Sequence, residues 1–142
     1  MFRSLVWLGV CVSLAMLLGC RSDAPDIVEI EGTLTYKGKP IPNIKIFFCP
    51  TTGRPSWAVT DQNGHFVLDY DEQFDGAKVD THTVYFVDEG GMVDPTAALS
   101  GAAPPKRSPD AAELVRKYNS RETSTLKVEV KERNKNFKLD VN

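Results

Sequence analysis

At 142 residues, 42% hydrophobic and 25% charged, the chain is long enough for one domain and is neither a disordered chain nor a multi-span membrane protein. Seventeen basic residues against nineteen acidic ones leave a formal charge of −2. No basic stripe with interleaved aromatics runs through it, so there is no electrostatic case for a nucleic-acid partner.

Residues 1–19 have the layout of a secretory signal. Arg3 is the positive n-region, and Leu5 to Leu18 is uncharged and almost wholly apolar. That run is short for a spanning helix, which needs ~20 apolar residues. It ends in Leu17-Leu18-Gly19-Cys20, which resembles the lipobox of bacterial lipoproteins. The resemblance implies that the Cys20 thiol is alkylated by a diacylglycerol, that the chain is cut before Cys20, and that the new amine is acylated. An ordinary secretory signal, with Cys20 a bystander, is the alternative. A cysteine directly after Leu-Leu-Gly at the end of the apolar run favours the lipoprotein. Two or three acyl chains anchor a protein stably, because each buried CH₂ contributes about 0.8 kcal/mol. Removing Arg3 with the signal leaves sixteen basic residues against nineteen acidic ones, a charge of −3. Arg21, rather than Asp, follows Cys20, which within the resemblance favours the outer membrane (periplasmic or surface face) over the inner. Residues 20–26 then form the lipidated cysteine and a polar tether ahead of a domain at 27–142.

From Val28 to Lys37 apolar and polar residues alternate, with Val28, Ile30, Leu34 and Tyr36 on one face of a half-buried strand. Gly32 on that face points to close packing or a bend. Lys37 to Asn43 holds two prolines and forms a stiffened turn. Ile44, Ile46 and Phe48 give a second strand that Pro50 ends, and residues 51–55 form a loop. Trp57 and Val59, then Phe66, Leu68 and Tyr70, flank Asn63-Gly64, a hairpin signal because both residues tolerate φ > 0. Strands near 56–61 and 65–70 are therefore predicted to pair antiparallel. Asp71 to Asp80 is an acidic loop, and Thr81 to Val87 a fifth strand. Gly90 to Pro109, rich in Gly, Ala and Pro, reads as a long surface loop. Ser108-Pro109-Asp110 opens a short helix: Ser caps, Pro suits the first helical position, and acids precede bases. Leu114, Val115 and Tyr118 form its apolar side. Leu126, Val128, Val130 and then Phe137, Leu139, Val141 alternate in two closing strands joined around Arg133-Asn134. About seven short strands separated by turns predict an all-β fold, an antiparallel Greek-key β-sandwich with one short helix in a late loop.

Three stretches resemble the carboxypeptidase regulatory-like domain. They are Glu31-Gly32-Thr33-Leu34-Thr35-Tyr36-Lys37-Gly38-Lys39-Pro40-Ile41-Pro42-Asn43, then Ile46-Phe47-Phe48-Cys49-Pro50, then Thr60-Asp61-Gln62-Asn63-Gly64-His65-Phe66. Lys117-Tyr118 and the apolar strands after Thr123 are similar to the C-terminal part of that domain. Small bacterial lipoproteins carry one such domain behind a lipobox. The resemblance covers most of residues 27–142, is strongest over 28–70, and implies a transthyretin-like (prealbumin-type) sandwich. The Pro-Gly turn usual before the fifth strand is replaced here by Asp75-Gly76-Ala77-Lys78-Val79-Asp80. Such a fold has no single function, so function rests on a site.

Candidate chemistry is sparse. Cys11, Cys20 and Cys49 have no C-x-x-C spacing, which leaves a zinc or thioredoxin-like site unsupported. Cys49, among Phe47, Phe48 and Pro50, reads as a buried inert thiol. Asp61-x-Asn63-Gly64 opens like a calcium loop, but strand residues follow and the hairpin reading is stronger. Asp69, Asp71, Glu72 and Asp75 read as a solvated loop rather than a cation site. Transthyretin-related hydrolases use histidines, an arginine and a C-terminal Tyr-Arg-Gly-Ser; this chain ends Leu139-Asp140-Val141-Asn142. His65 is expected to face solvent, and His82 to be a satisfied histidine at the core edge. Ser56, Ser100, Ser108 and Ser120 form no nucleophile elbow. Trp57, Tyr85 or Tyr118 is either core or a platform for a sugar or peptide. The loop to Ser108 is either a tolerated insertion or, through Met92, Val93, Leu99, Lys106 and Arg107, a partner contact. The expectation is a protein with no catalytic residues, metal or cofactor: a structural or interaction module of the cell envelope. It is held to the membrane by lipid on Cys20 and has a protein or glycan partner. The alternative is a carbohydrate- or peptide-binding accessory lipoprotein.

Overall fold

The computed structural model describes residues 26–88 and 108–142. The expectations for the signal, for Cys20 and for the loop between Asp88 and Ser108 lie outside the described residues. The chain forms β1 (Ile27–Val28), β2 (Ile30–Tyr36), β3 (Lys39–Pro40), β4 (Ile44–Pro50), β5 (Ser56–Val59), β6 (His65–Val67), β7 (Ala77–Lys78) and β8 (Asp80–Asp88). The helix α1 (Pro109–Lys117) and the strands β9 (Lys127–Val130) and β10 (Asn134–Val141) follow. The domain is thus mostly β with one short helix. Seven described strands have three residues or more, as the alternation predicts, and three are two-residue pieces.

One sheet runs β10-β2-β3, with β6 also paired to β2; a second runs β5-β4-β8-β9; β1 pairs with β7. Alternation decides which residues go inward. Ile30, Leu34 and Tyr36 of β2 are buried, as are Ile44, Ile46 and Phe48 of β4, Val84 and Phe86 of β8, and Leu139 and Val141 of β10. Residues of both four-stranded sheets join one hydrophobic cluster with Ile41, Phe66, Leu68 and Leu114.

Three expectations need correction. β5 and β6 do not form a hairpin: β5 pairs with β4 and β6 with β2, so the turn between them carries the chain from one sheet to the other. The two runs meet at an isolated bridge between Trp57 and Asp69. Gly64 takes φ +74°, whereas Asn63 keeps a negative φ, so this is not the two-residue turn that closes a hairpin. Instead the Asp61 carboxylate accepts from the backbone N–H of Asn63 at 2.8 Å and of His65 at 2.9 Å. Second, the turn with two positive φ angles lies earlier, at Lys37 (φ 50°) and Gly38 (φ 75°), and folds β3 back onto β2. Third, β10 lies parallel to β2, so the sheets are largely but not wholly antiparallel. β9 pairs with β8 instead, and the closing strands belong to different sheets.

The helix starts as its sequence demands. The Ser108 hydroxyl accepts from the N–H of Ala111 at 3.0 Å. Ala111 and Leu114 are buried, and Tyr118 meets Phe86 edge-on at 6.2 Å between ring centres. Lys37 pairs with Glu113 at 2.7 Å and Lys39 with Asp110 at 3.1 Å, which ties α1 to the β2–β3 turn. Among the described residues, no helix is long and apolar enough to cross a membrane.

Candidate functional site

Alternation turns Lys45, Phe47 and Cys49 of β4 to the face opposite Ile44, Ile46 and Phe48, with Lys45 and Phe47 half-buried and Cys49 covered. Cross-strand register places Phe47 between Trp57 of β5 and Tyr85 of β8, and Lys45 between Val59 and Val87. Phe47 and Tyr85 stack face to face, 4.7 Å apart and 9° from parallel. The Lys45 ammonium lies 4.6 Å from the Trp57 ring centre and 5.7 Å from that of Phe47. Trp57, Val59 and Val87 are 38%, 42% and 38% exposed. The outer face of this sheet therefore carries an aromatic row across three adjacent strands, fixed by the ladder beneath it. Stacked pairs of this kind are worth about 0.5–1.5 kcal/mol beyond their burial. Cys49, next along β4, is buried and free. Burial pushes its thiol above the ordinary value of 9.0, and a nearby Arg121 only partly opposes this. Desolvation likewise raises the Tyr85 hydroxyl.

On the side of β5 away from β4, Trp57 and Asp69 exchange two backbone hydrogen bonds, of 3.0 and 2.8 Å. Beside this bridge lies a groove of about 450 Å³ lined by Arg54, Trp57, Asp69, Tyr70, Asp71, Glu72 and Gln73. One Asp71 oxygen accepts from the N–H of Gln73 and of Phe74, each at 3.0 Å. Its other oxygen stands 3.8 Å from the Arg54 guanidinium, which lies 5.5 Å over the Tyr70 ring. The acidic stretch is thus an ordered turn closed on itself.

The outer face of the other sheet is polar. His65 meets Glu31 at 3.0 Å, a partner from β2 reached through the β2–β6 register. The Thr35 hydroxyl bonds to the Asp140 carboxylate. These four residues, with Thr33 and Lys138, line a second groove of about 590 Å³.

The other predicted residues are dispersed. His82 is fully buried inside the core rather than at its edge. Its Nε2 donates to the Lys78 carbonyl at 2.8 Å, and its Nδ1 has no partner, so it is half satisfied. The reason is its register: His82 stands opposite Pro50 and points inward like Val84 and Phe86. His65 and His82 sit in different sheets. Ser56 is buried in β5 and its hydroxyl is unpaired, Ser108 caps α1, and Ser120 bonds within its own turn; Ser100 lies outside the described residues. Asp61 is committed to its turn. Tyr118 is core, so Trp57 and Tyr85 alone of the three predicted aromatics share an outer face. Among the described residues no group of three or more His, Cys, Asp or Glu stands close enough to hold a metal.

Phe47, Lys45 and Arg54 were not singled out in the sequence. A signal for Phe47 was there: in the pair Phe47-Phe48, strand alternation sends one ring outward. No protein-family model matches the chain, and neither does any curated protein or solved structure.

Proposed function

We propose that this chain is a non-enzymatic, lipid-anchored protein of the cell envelope whose domain is an interaction module, and that its binding surface is the outer face of β5-β4-β8-β9. The observation that carries this reading is the Trp57-Phe47-Tyr85 row. Single exposed apolar residues are ordinary, but adjacent ones on a rigid face mark contact sites. Aromatic side chains are enriched in interface cores and among the residues that dominate binding energy. The lipobox supports the anchor: a signal at 1–19, acyl chains on Cys20, a tether to residue 26 and the domain at 27–142. Arg21 favours the outer membrane. Two sheets contributing to one core, together with the motifs at 31–43, 46–50 and 60–66, support a carboxypeptidase regulatory-like domain with a transthyretin-like Greek-key sandwich.

Two measurements test this. Mass spectrometry of the membrane-extracted protein should find an acylated N-terminal Cys20. A photo-crosslinking residue at Val87 should give a discrete adduct in intact envelopes that is lost with Phe47→Ser. A soluble mature form with a free Cys20, or no adduct at Val87, would overturn the reading.

A further inference from the structure

We propose that the groove beside Trp57 is the ligand site of this surface and that it takes a glycan chain free of acidic groups. This rests on the reading of the domain as an interaction module and gives that module a ligand class.

A sugar ring has one face of C–H groups and a rim of hydroxyls, each both donor and acceptor. A site for it needs an aromatic ring to stack on and fixed polar groups around that ring. Trp57 supplies the ring. It is more than one-third exposed, yet its backbone is held from one side by Asp69 and from the other by β4. Beside it stand acceptors in Asp69, Asp71 and Glu72, a donor in Arg54, and in Gln73 a group that is both. The Asp71 oxygen turned toward Arg54 is 3.8 Å away, too far for a hydrogen bond, so both groups keep capacity for adjacent hydroxyls. Because the other Asp71 oxygen is tied down by two backbone N–H groups, the carboxylate is already oriented.

Charge narrows the class. The groove's three carboxylates outnumber its one guanidinium, and with the Lys45 ammonium over the Trp57 ring the surrounding charge is still net negative, which disfavours uronic acids, phosphorylated sugars and nucleic acid. The same carboxylates disfavour a purely apolar peptide, whose burial would strip their water without replacing it. Uncharged and amine-bearing sugars meet neither penalty. The groove opens at the edge strand and adjoins the aromatic row through Trp57, so a polymer can lie across both.

The test uses the processed lipoprotein extracted in a polyoxyethylene detergent, which carries no sugar. Trp7 is lost with residues 1–19, so Trp57 is the single tryptophan and its emission reports the site directly. The probes are β-1,4-linked hexamers of glucose, glucosamine and N-acetylglucosamine, with a galacturonate hexamer as the acidic control. At least one of the first three should change the emission saturably, and the control should not. By calorimetry, Trp57→Ala should weaken that binding at least tenfold and Gln73→Ala severalfold, with Val67→Ser, an exposed change on the other sheet, leaving it unchanged. Far-ultraviolet circular dichroism checks that the variants fold; both groove residues are exposed, so their loss leaves the core intact. No saturable response to the three hexamers, equal binding of galacturonate, or wild-type affinity in both Trp57→Ala and Gln73→Ala would overturn the proposal. A Val87 adduct without glycan binding would fell this proposal alone. Glycan binding without lipidation would fell the anchor instead.

Discussion

A β-carbon built on Gly32 would lie 2.2 Å from the carbonyl oxygen of Phe137, inside any real contact distance. β2 and β10 approach closely there, and the ladder between them shifts register between Asn134 and Phe137. Any side chain at 32 must push β10 outward and break its parallel pairing with β2. Gly32→Ala is expected to destabilise the fold by about 3 kcal/mol, the upper range for overpacking. Urea denaturation checks this; a loss under about 1 kcal/mol would mean that β10 can shift freely.

The Asp61–His65 turn gives a second test. At Gly64 a β-carbon would meet the Leu34 carbonyl oxygen at 2.7 Å, on a residue already at φ +74°. Strain and clash together put Gly64→Ala at roughly 2–3 kcal/mol. Asp61→Ala removes an acceptor shared by two backbone N–H groups and is expected to cost about 1 kcal/mol. The order of the two losses, read from denaturation midpoints, separates backbone strain from capping.

That strand contact and that turn show where the sequence was legible. Period-two alternation located β2, β4, β8 and β10, because each has one buried face and a one-residue slip would expose it. The Ser108 cap and the apolar side of α1 were readable for the same reason: local chemistry sufficed. Pairing was not local. Asn63-Gly64 signals a reversal, but which edge β5 and β6 join depends on β4 and β2, far away in sequence. His65 and Glu31 meet only once that choice is made. The site was half legible. Trp57 and Tyr85 could be named, but their neighbours Phe47 and Lys45 follow from register, and Arg54 reaches the groove from the loop ahead of β5.

The helix tests burial against surface charge. Leu114 is wholly buried, while Lys37 and Glu113 form an exposed ion pair. Leu114→Ala is expected to cost about 3 kcal/mol, as for other fully buried leucines. Lys37→Met should cost a small fraction of that, because exposed pairs are screened by solvent. If the two variants lose equal stability in the same denaturant series, the ion pairs rather than the apolar side hold α1.

Acid sensitivity should trace to Asp80 and Glu113. The backbone N–H of Thr81 at 2.7 Å, helped by Thr51 and Thr52, holds the Asp80 carboxyl below its ordinary 3.8. The Lys37 ammonium holds Glu113 below 4.5. Both carboxylates lose protons more readily in the folded chain. The stability they add is present above their ordinary values and is lost as pH falls through the depressed ones. Lys37 is raised above 10.5 by Glu113, so its share is present at lower pH and is lost as pH climbs through the raised value. Melting temperatures should fall below about pH 4, and Asp80→Asn should flatten that fall while lowering stability at neutral pH. An unchanged acid slope in Asp80→Asn would refute the assignment.

Thiol counting joins the fold to the anchor. If residues 1–19 are removed as proposed, Cys11 leaves with them and the chain keeps Cys20 and Cys49. Cys49 is buried and its thiol is raised by that burial, which leaves little reactive thiolate near neutral pH. If Cys20 is a thioether, the folded protein should therefore show no fast reaction with a thiol reagent, and denaturant should release a single thiol. A processed chain without lipid should instead show one fast-reacting thiol, Cys20, while folded, with denaturant bringing the total to two. A native protein that reacts fast at Cys49 would place the error in the packing of the β4 outer face. Peptide mapping of the modified cysteine tells the two cases apart. The slow reaction of Cys49 in the native state then measures how often that face opens. A glycan hexamer that binds next to Trp57, one strand away, should slow it further, because a ligand held by the closed state reduces the open fraction.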